Sequence, residues 1–194
     1  MATFKHRFLT GSIYSFSGTI VVQIFSMGLS VILARLLGPH DLGIYTIIGR
    51  IGLVIVPITT LGINIALTKY IAEYKIKDKG SLNRLVPTAT IIVLFFSIIV
   101  SIIYFLLSDT IAIKIYNTPI IGIFLKINAI FLTLNGLVYI GSATLQGFQR
   151  IKTISTLNVL MSALNLPLYF IFIWEMGLIG AVIAGVVSLI IILF

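Results

Sequence analysis

The chain contains no cysteine in its 194 residues, so disulfides, thiolate metal sites and cysteine nucleophiles are all absent. Charge is also scarce: Asp, Glu, Lys and Arg together make up 9%, where a soluble domain has about a quarter. Acidic side chains are the rarest, five against thirteen Lys and Arg. Asp41, Glu73, Asp78, Asp109 and Glu175 all fall in connections or at helix ends, so no carboxylate is expected in the middle of a span. That counts against carrying cations, or coupling to H⁺ or Na⁺, through this chain. The two histidines, His6 and His40, stand far apart without metal-ligand spacing and read as solvated. With no acid–base pair, nucleophile or ligand cluster, neither an enzyme nor a bound cofactor or metal is expected.

What the chain has instead is apolar length. It is 59% hydrophobic, and its mean hydropathy of +1.20 excludes a soluble globular fold. Cut at charged and turn-forming clusters, the sequence gives apolar blocks at 13–34, 42–68, 86–107, 120–145, 153–174 and 178–194. Each approaches or exceeds the roughly 20 residues of one bilayer crossing. Barrel strands are about half that length and alternate in polarity, so the expected fold is all-α and integral to the membrane, a single bundle of six transmembrane helices. The net charge of +8 lies between the blocks rather than along a soluble face, which points to membrane lipids as partners and away from nucleic acid.

The first block is too long for a signal peptide and lacks a small-residue cleavage site after it, so it reads as a retained helix. With the N-terminus inside, Lys5, Arg7, Lys69, Lys75, Lys77, Lys79, Arg84, Arg150 and Lys152 fall on the cytoplasmic side, against Arg35 and Lys114 outside. The positive-inside rule favours that orientation in a cytoplasmic membrane, and the segment Lys69–Arg84 reads as a loop that fixes topology. The last block reaches Phe194 without flanking charge or aromatics, and reads as the point where a longer chain has been cut. Neither an internal repeat nor a low-complexity tract beyond the abundance of Ile is apparent.

Polar side chains in hydrocarbon gather where they meet protein or water. At 100° per residue, Ser12, Ser15, Thr19, Gln23, Ser26 and Ser30 share one face of the first helix, and Gly43, Thr46, Arg50, Pro57, Asn64 and Thr68 one face of the second, provided Pro57 bends it without much rotation. Thr90, Ser97, Ser101, Tyr104 and Ser108 align on the third. Asn128, Asn135, Tyr139, Ser142 and Gln146 align on the fourth; Ser155, Asn158, Ser162, Asn165 and Tyr169 on the fifth. The sixth offers Gly177, Ala181, Ala184 and Ser188. Small and hydroxyl residues on the third and sixth helices suit close packing. An asparagine needs several hydrogen-bond partners, so Asn64, Asn128, Asn135, Asn158 and Asn165, with Gln23, are expected to line a wet cavity. Arg50 lies about two turns into its helix, where an arginine costs on the order of 2–3 kcal/mol. Its place on the polar face makes it the candidate for an anion, since guanidinium matches phosphate geometry. Lys126 lies opposite the Asn face and is expected to extend to the headgroups.

The run Leu33-Ala34-Arg35-Leu36-Leu37-Gly38-Pro39, continuing through His40-Asp41-Leu42-Gly43-Ile44-Tyr45, resembles the first-loop signature of polysaccharide biosynthesis membrane proteins. These are the oligosaccharide-lipid flippases of the multidrug/oligosaccharidyl-lipid/polysaccharide exporter superfamily. Three further stretches are similar to that family in the same order: Leu61-Gly62 with Ala66 and Lys69-Tyr70, Leu145 to Arg150, and Gly177 to Ala184. Ala66 to Lys75 also resembles lipid-linked peptidoglycan-precursor flippases, although the charged cavity residues of that branch's first helix have no counterpart around Leu29 and Ser30. Physically, Gly38-Pro39 suits a tight turn and Asp41 can cap the helix that follows.

The resemblance implies one lobe of a two-lobed transporter, whose partner is a second six-helix half. Its substrate would be an oligosaccharide on a polyprenol or dolichol (pyro)phosphate, with Arg50 toward the anion and the asparagines toward sugar hydroxyls. A multidrug exporter of the same superfamily, needing carboxylates outside this chain, and a non-transporting scaffold for glycan assembly are the competing readings. Cysteines placed at Gln23, Asn64 and Asn135 separate them: aqueous thiol reagents should label all three in a water-lined cavity, and complete protection would favour the scaffold.

Overall fold

The structure is a computed structural model, described with side chains for residues 14–75 and 82–193 and as helical backbone also for 2–13, 76–77 and 79–81. The side chains of Lys5, His6, Arg7, Ser12, Lys77 and Lys79 therefore lie outside the described residues, as do Asp78 and Phe194 altogether. The described residues form α1 (Ala2–Thr60), α2 (Ile63–Lys77), α3 (Lys79–Lys114), α4 (Ile120–Gly147) and α5 (Ile151–Leu193), with no strand among them. Four of these helices are long and apolar enough to cross a membrane. The all-α membrane architecture is as expected; the first two expected blocks fall in α1, which is interrupted at Gly38, and the last two in α5, which is interrupted at Gly177.

Length explains why two of these elements cannot run straight. At 1.5 Å per residue, the 59 residues of α1 would extend about 88 Å and the 43 of α5 about 64 Å, against a hydrocarbon core of about 30 Å. Each is interrupted at one glycine whose φ is positive, a conformation that a side chain resists. At Gly177 (φ 57°, ψ −133°) the chain doubles back: Ser188 Oγ donates to Asn165 Oδ1 at 2.7 Å, Gly185 faces the Tyr169 hydroxyl, and Gly180 packs directly on the Phe172 carbonyl. All three pairs are centred within one residue of Gly177, so α5 is a hairpin of two antiparallel arms. At Gly38 (φ 70°, ψ 176°) Pro39 removes the next backbone donor as well. Leu33 and Leu37 before the turn then join Leu42 and Tyr45 after it in one cluster against Tyr169 and Ile173. Asp41 does not act as a helix cap there; its carboxylate lies 2.9 Å from His40 Nδ1.

The block 42–68 is not one helix. It breaks at Leu61 and Gly62, both at positive φ, four residues beyond the Pro57 expected to bend it. Thr59 and Thr60 turn their hydroxyls onto the carbonyls of Val56 and Pro57, satisfying the end of α1. The Gly62 carbonyl accepts from the Ile65 and Ala66 amides to start α2. The supposed loop Lys69–Arg84 is largely helical too, because Leu67 and Ile71 continue one apolar stripe onto Ile140 and Ala143 of α4.

The polar face of α3 is a packing face, as its small residues suggested. Ser97, Ser101, Tyr104 and Ser108 are buried, Ser101 bonds Thr133 of α4 at 2.8 Å, and Ser108 donates to the Tyr104 carbonyl. Lys126 does not reach out alone: its Nζ lies 2.7 Å from Asp109 Oδ2. The turns at Gly38 and Gly177 and the α3–α4 connection gather at one end of the bundle, where Leu37, Ala112, Tyr116, Ile121 and Leu178 share a core. Lys75, Phe148 and Lys152 lie at the other end, where Lys152 covers the Tyr14 ring at 4.4 Å.

The Gly180 contact yields a stability prediction. Gly180→Val places a branched side chain against backbone, and should exceed the about 1–3 kcal/mol typical of overpacking. Gly141→Ala, in open space, should be neutral or gain up to about 1 kcal/mol from helix propensity. Thermal unfolding in detergent micelles compares them, and an unchanged midpoint for Gly180→Val would contradict the hairpin packing.

Candidate functional site: a polar track between the helices

The site begins with the break at Leu61–Gly62. Interrupted backbone inside a membrane is tolerated where it lines a cavity, and Gly62 does so here. A cavity of about 590 Å³ lies between the second arm of α1, the start of α2, α4 and α5. Its polar lining is Asn64, Asn128, Asn135, Thr60 and the hydroxyl-bearing Tyr45, Tyr139 and Tyr169, set among Phe131, Pro57 and aliphatic side chains. The two hydroxyls of Tyr45 and Tyr169 stand 3.4 Å apart and join α1 to α5. Among the described residues, no charged side chain lines this cavity.

Asn128 is its most constrained member. It is 7% exposed, and its Oδ1, which faces Gly52, has no hydrogen-bond partner among the described residues. A buried carbonyl left unmet costs about 1–3 kcal/mol, so this oxygen is an acceptor available to a donor entering the cavity.

The cavity continues along α4. Asn64, Ile65 and Tyr139 are shared with a second cavity of about 350 Å³ that adds Thr68, Lys69, Ser142 and Gln146. Thr68 and Gln146 are shared in turn with a third, of about 690 Å³, lined also by Ser15, Thr19, Gln149, Ser155 and Asn158. The whole polar face read on the fourth helix, Asn128 to Gln146, therefore lines one track. At 1.5 Å per residue those eighteen steps cover about 27 Å, close to the full hydrocarbon thickness.

The remaining site candidates are distributed unevenly. Asn158 lines the third cavity. Asn165 is engaged by Ser188 and ties the α5 hairpin. Gln23 is exposed on the first arm of α1 and lines none of the three cavities. Arg50 is likewise exposed, about 18 Å along the helix from the Gly38 turn; its neighbours Gly49, Leu53 and Pro57 line the first cavity, whereas Arg50 is not among the lining residues. Tyr45, Thr60 and Gly62 line the cavity without having been expected as site residues, although Tyr45 and Gly62 fall in the stretches that carry the family resemblance. The signal was present in Pro57-Ile58-Thr59-Thr60-Leu61-Gly62, where a proline, two hydroxyls able to take up freed carbonyls and a glycine meet within six residues.

The ends of the track differ in charge. Lys69, Lys75, Arg84, Arg150 and Lys152 belong to the end opposite the Gly38 and Gly177 turns, whereas Arg35, Asp41, Asp109, Lys114 and Glu175 belong to the turn end. The track thus runs from a basic end into an uncharged, hydrogen-bonding interior.

The family model described as polysaccharide biosynthesis protein matches residues 8–194. No curated protein and no solved structure matches the chain.

Asn128→Leu, which keeps the volume and removes the unmet carbonyl, should leave the unfolding midpoint in detergent unchanged or raise it, by up to about 1–3 kcal/mol. A lowered midpoint would mean that the amide is held by the fold and is not available to a ligand.

Proposed function

The chain belongs to the polysaccharide biosynthesis protein family, and from that premise we propose that it is a membrane transporter rather than an enzyme. It flips an oligosaccharide, linked to polyprenol or dolichol (pyro)phosphate, across the cytoplasmic membrane. The observation that carries this reading is the row of three neighbouring cavities beside Asn128 to Gln146, which share lining residues and offer amides and hydroxyls over about a bilayer's thickness. Sugar hydroxyls dragged through hydrocarbon would each lose water's hydrogen bonds, at a cost of several kcal/mol apiece. Amide side chains donate and accept at once and so replace that water, while Tyr and Phe rings in the same cavity offer apolar surface to the sugar's C–H faces. The lipid tail needs no such path and stays in the bilayer.

The transport cycle requires the chain to cross six times, with the reversals at Gly38 and Gly177 dividing α1 and α5 into two crossings each. The broken α1–α2 segment acts with α3 and α4 as the second to fourth. With the basic end in the cytoplasm, the N-terminus is cytoplasmic and the glycan enters from the Lys69 side. The track is open on the flank that carries Arg50, and a second six-helix half, in the same polypeptide or another, closes it.

On this reading Arg50 meets the phosphate where the lipid headgroup passes the rim of the cavity. Arg50→Ala should lower surface-glycan export in a complementation assay by about ten- to hundredfold, the equivalent of a charge-assisted hydrogen bond, with membrane levels unchanged. Arg50→Lys should restore it only partly, because the planar fork is lost. Normal export by Arg50→Ala would remove this residue from the mechanism.

A further inference from the structure

On the flank away from the polar track, α3 and α4 leave a second kind of space, an apolar groove of about 410 Å³. Ile98, Ile102 and Phe105 wall it on α3, Ile130 and Leu134 on α4. Its floor holds the Ser101 and Thr133 hydroxyls, which bond each other at 2.8 Å, and the rest of its lining apart from Lys126 is apolar. At one end of the groove stands the Lys126–Asp109 pair, Nζ to Oδ2 2.7 Å, with the side chains 33% and 60% exposed. Lys126 Nζ also lies 5.8 Å from the centre of the Phe105 ring.

Two features single out the occupant. The first is length: from Lys126 to Leu134 the groove runs about 12 Å at 1.5 Å per residue, most of the depth of one leaflet, half of a core about 30 Å thick. The second is charge order. A cation and an anion side by side at the mouth, both still open to the surroundings, complement a ligand that carries one of each. A single anionic group would gain Lys126 and meet repulsion from Asp109.

We propose that this groove binds a phospholipid of the phosphatidylethanolamine type, independently of the transport reading. One acyl chain lies between α3 and α4. The phosphate takes a hydrogen bond from the Lys126 ammonium, and the primary ammonium of the headgroup donates to the Asp109 carboxylate. A choline headgroup has the same net charge but no N–H to donate, and a glycerol headgroup leaves the lipid anionic, so both bind more weakly.

The test is native mass spectrometry of the purified chain, released from micelles holding equal amounts of phosphatidylethanolamine, phosphatidylcholine and phosphatidylglycerol. The ethanolamine lipid should be retained about two- to fivefold over the other two, the range that partly exposed charge pairs support. Asp109→Asn should remove the preference over phosphatidylglycerol. Ile130→Trp, which fills the groove and leaves the ion pair, should lower retention of the ethanolamine lipid toward that of phosphatidylcholine. Equal retention of the three lipids by the unaltered chain would overturn the proposal even if neither variant folds, as would a preference for phosphatidylglycerol, which would make Lys126 a plain cation site.

Discussion

Hydrocarbon offers no hydrogen bond, and the arrangement of this chain follows from that one constraint. Backbone amides are satisfied first, which makes every described element helical. Hydroxyl side chains come next, and most return to the carbonyl three or four residues before them, as Thr46, Thr90, Ser108 and Thr144 do. Such groups need no cavity. Amides are different, because an asparagine has two donors and an acceptor with two lone pairs and cannot satisfy them all on its own helix. Asn64, Asn128 and Asn135 consequently collect around one space, and Asn165 finds a serine across the α5 hairpin. The same demand fits the place of the broken backbone, where Thr60 and Gly62 border that space.

Packing and site are therefore two uses of polarity, separated by α4. One side of α4 meets the serines of α3 through Thr133 and the close approach of Gly136 to Val93 and Ser97; the opposite side carries the asparagines. A helix satisfied on one flank and unsatisfied on the other can hold its shape while presenting hydrogen-bonding groups to something that passes. The hairpin turns serve this arrangement. By reversing at single glycines, α1 and α5 bring Tyr45 and Tyr169 together at the head of the cavity with no loop to fill it.

Much of this was legible in the sequence. Hydropathy alone gives an all-helical membrane chain, and helical periodicity gave the α4 face correctly, because α4 is unbroken and every residue from Asn128 to Gln146 keeps its phase. The same projection failed on the second block, since the break at Leu61–Gly62 resets the phase between Arg50 and Asn64. A rule that treats the block as one helix puts them on one face, whereas Asn64 lines the cavity and Arg50 does not. Composition could not separate Asn165 from Asn158 either. One is engaged and the other lines the track because of Ser188, twenty-three residues further along, and only the turn at Gly177 makes them neighbours. The partner of Lys126 could not be read for a similar reason, since Asp109 lies on the preceding helix and becomes visible once the antiparallel register of α3 and α4 is known.

The charge distribution adds a last step. A cavity lined by amides but no charge lowers the barrier for neutral hydroxyls far more than for a phosphate, because a fixed dipole replaces water's hydrogen bonds while leaving most of a charge's solvation unreplaced. The interior of the first cavity therefore suits neutral hydroxyls better than a phosphate. Lys69 lines the second cavity, and Arg50 is exposed one residue from Gly49, which lines the first. Under the proposed function the two demands of a lipid-linked sugar fall on different groups: the sugar would use the amides and hydroxyls, and the headgroup the cations, with the tail in the bilayer.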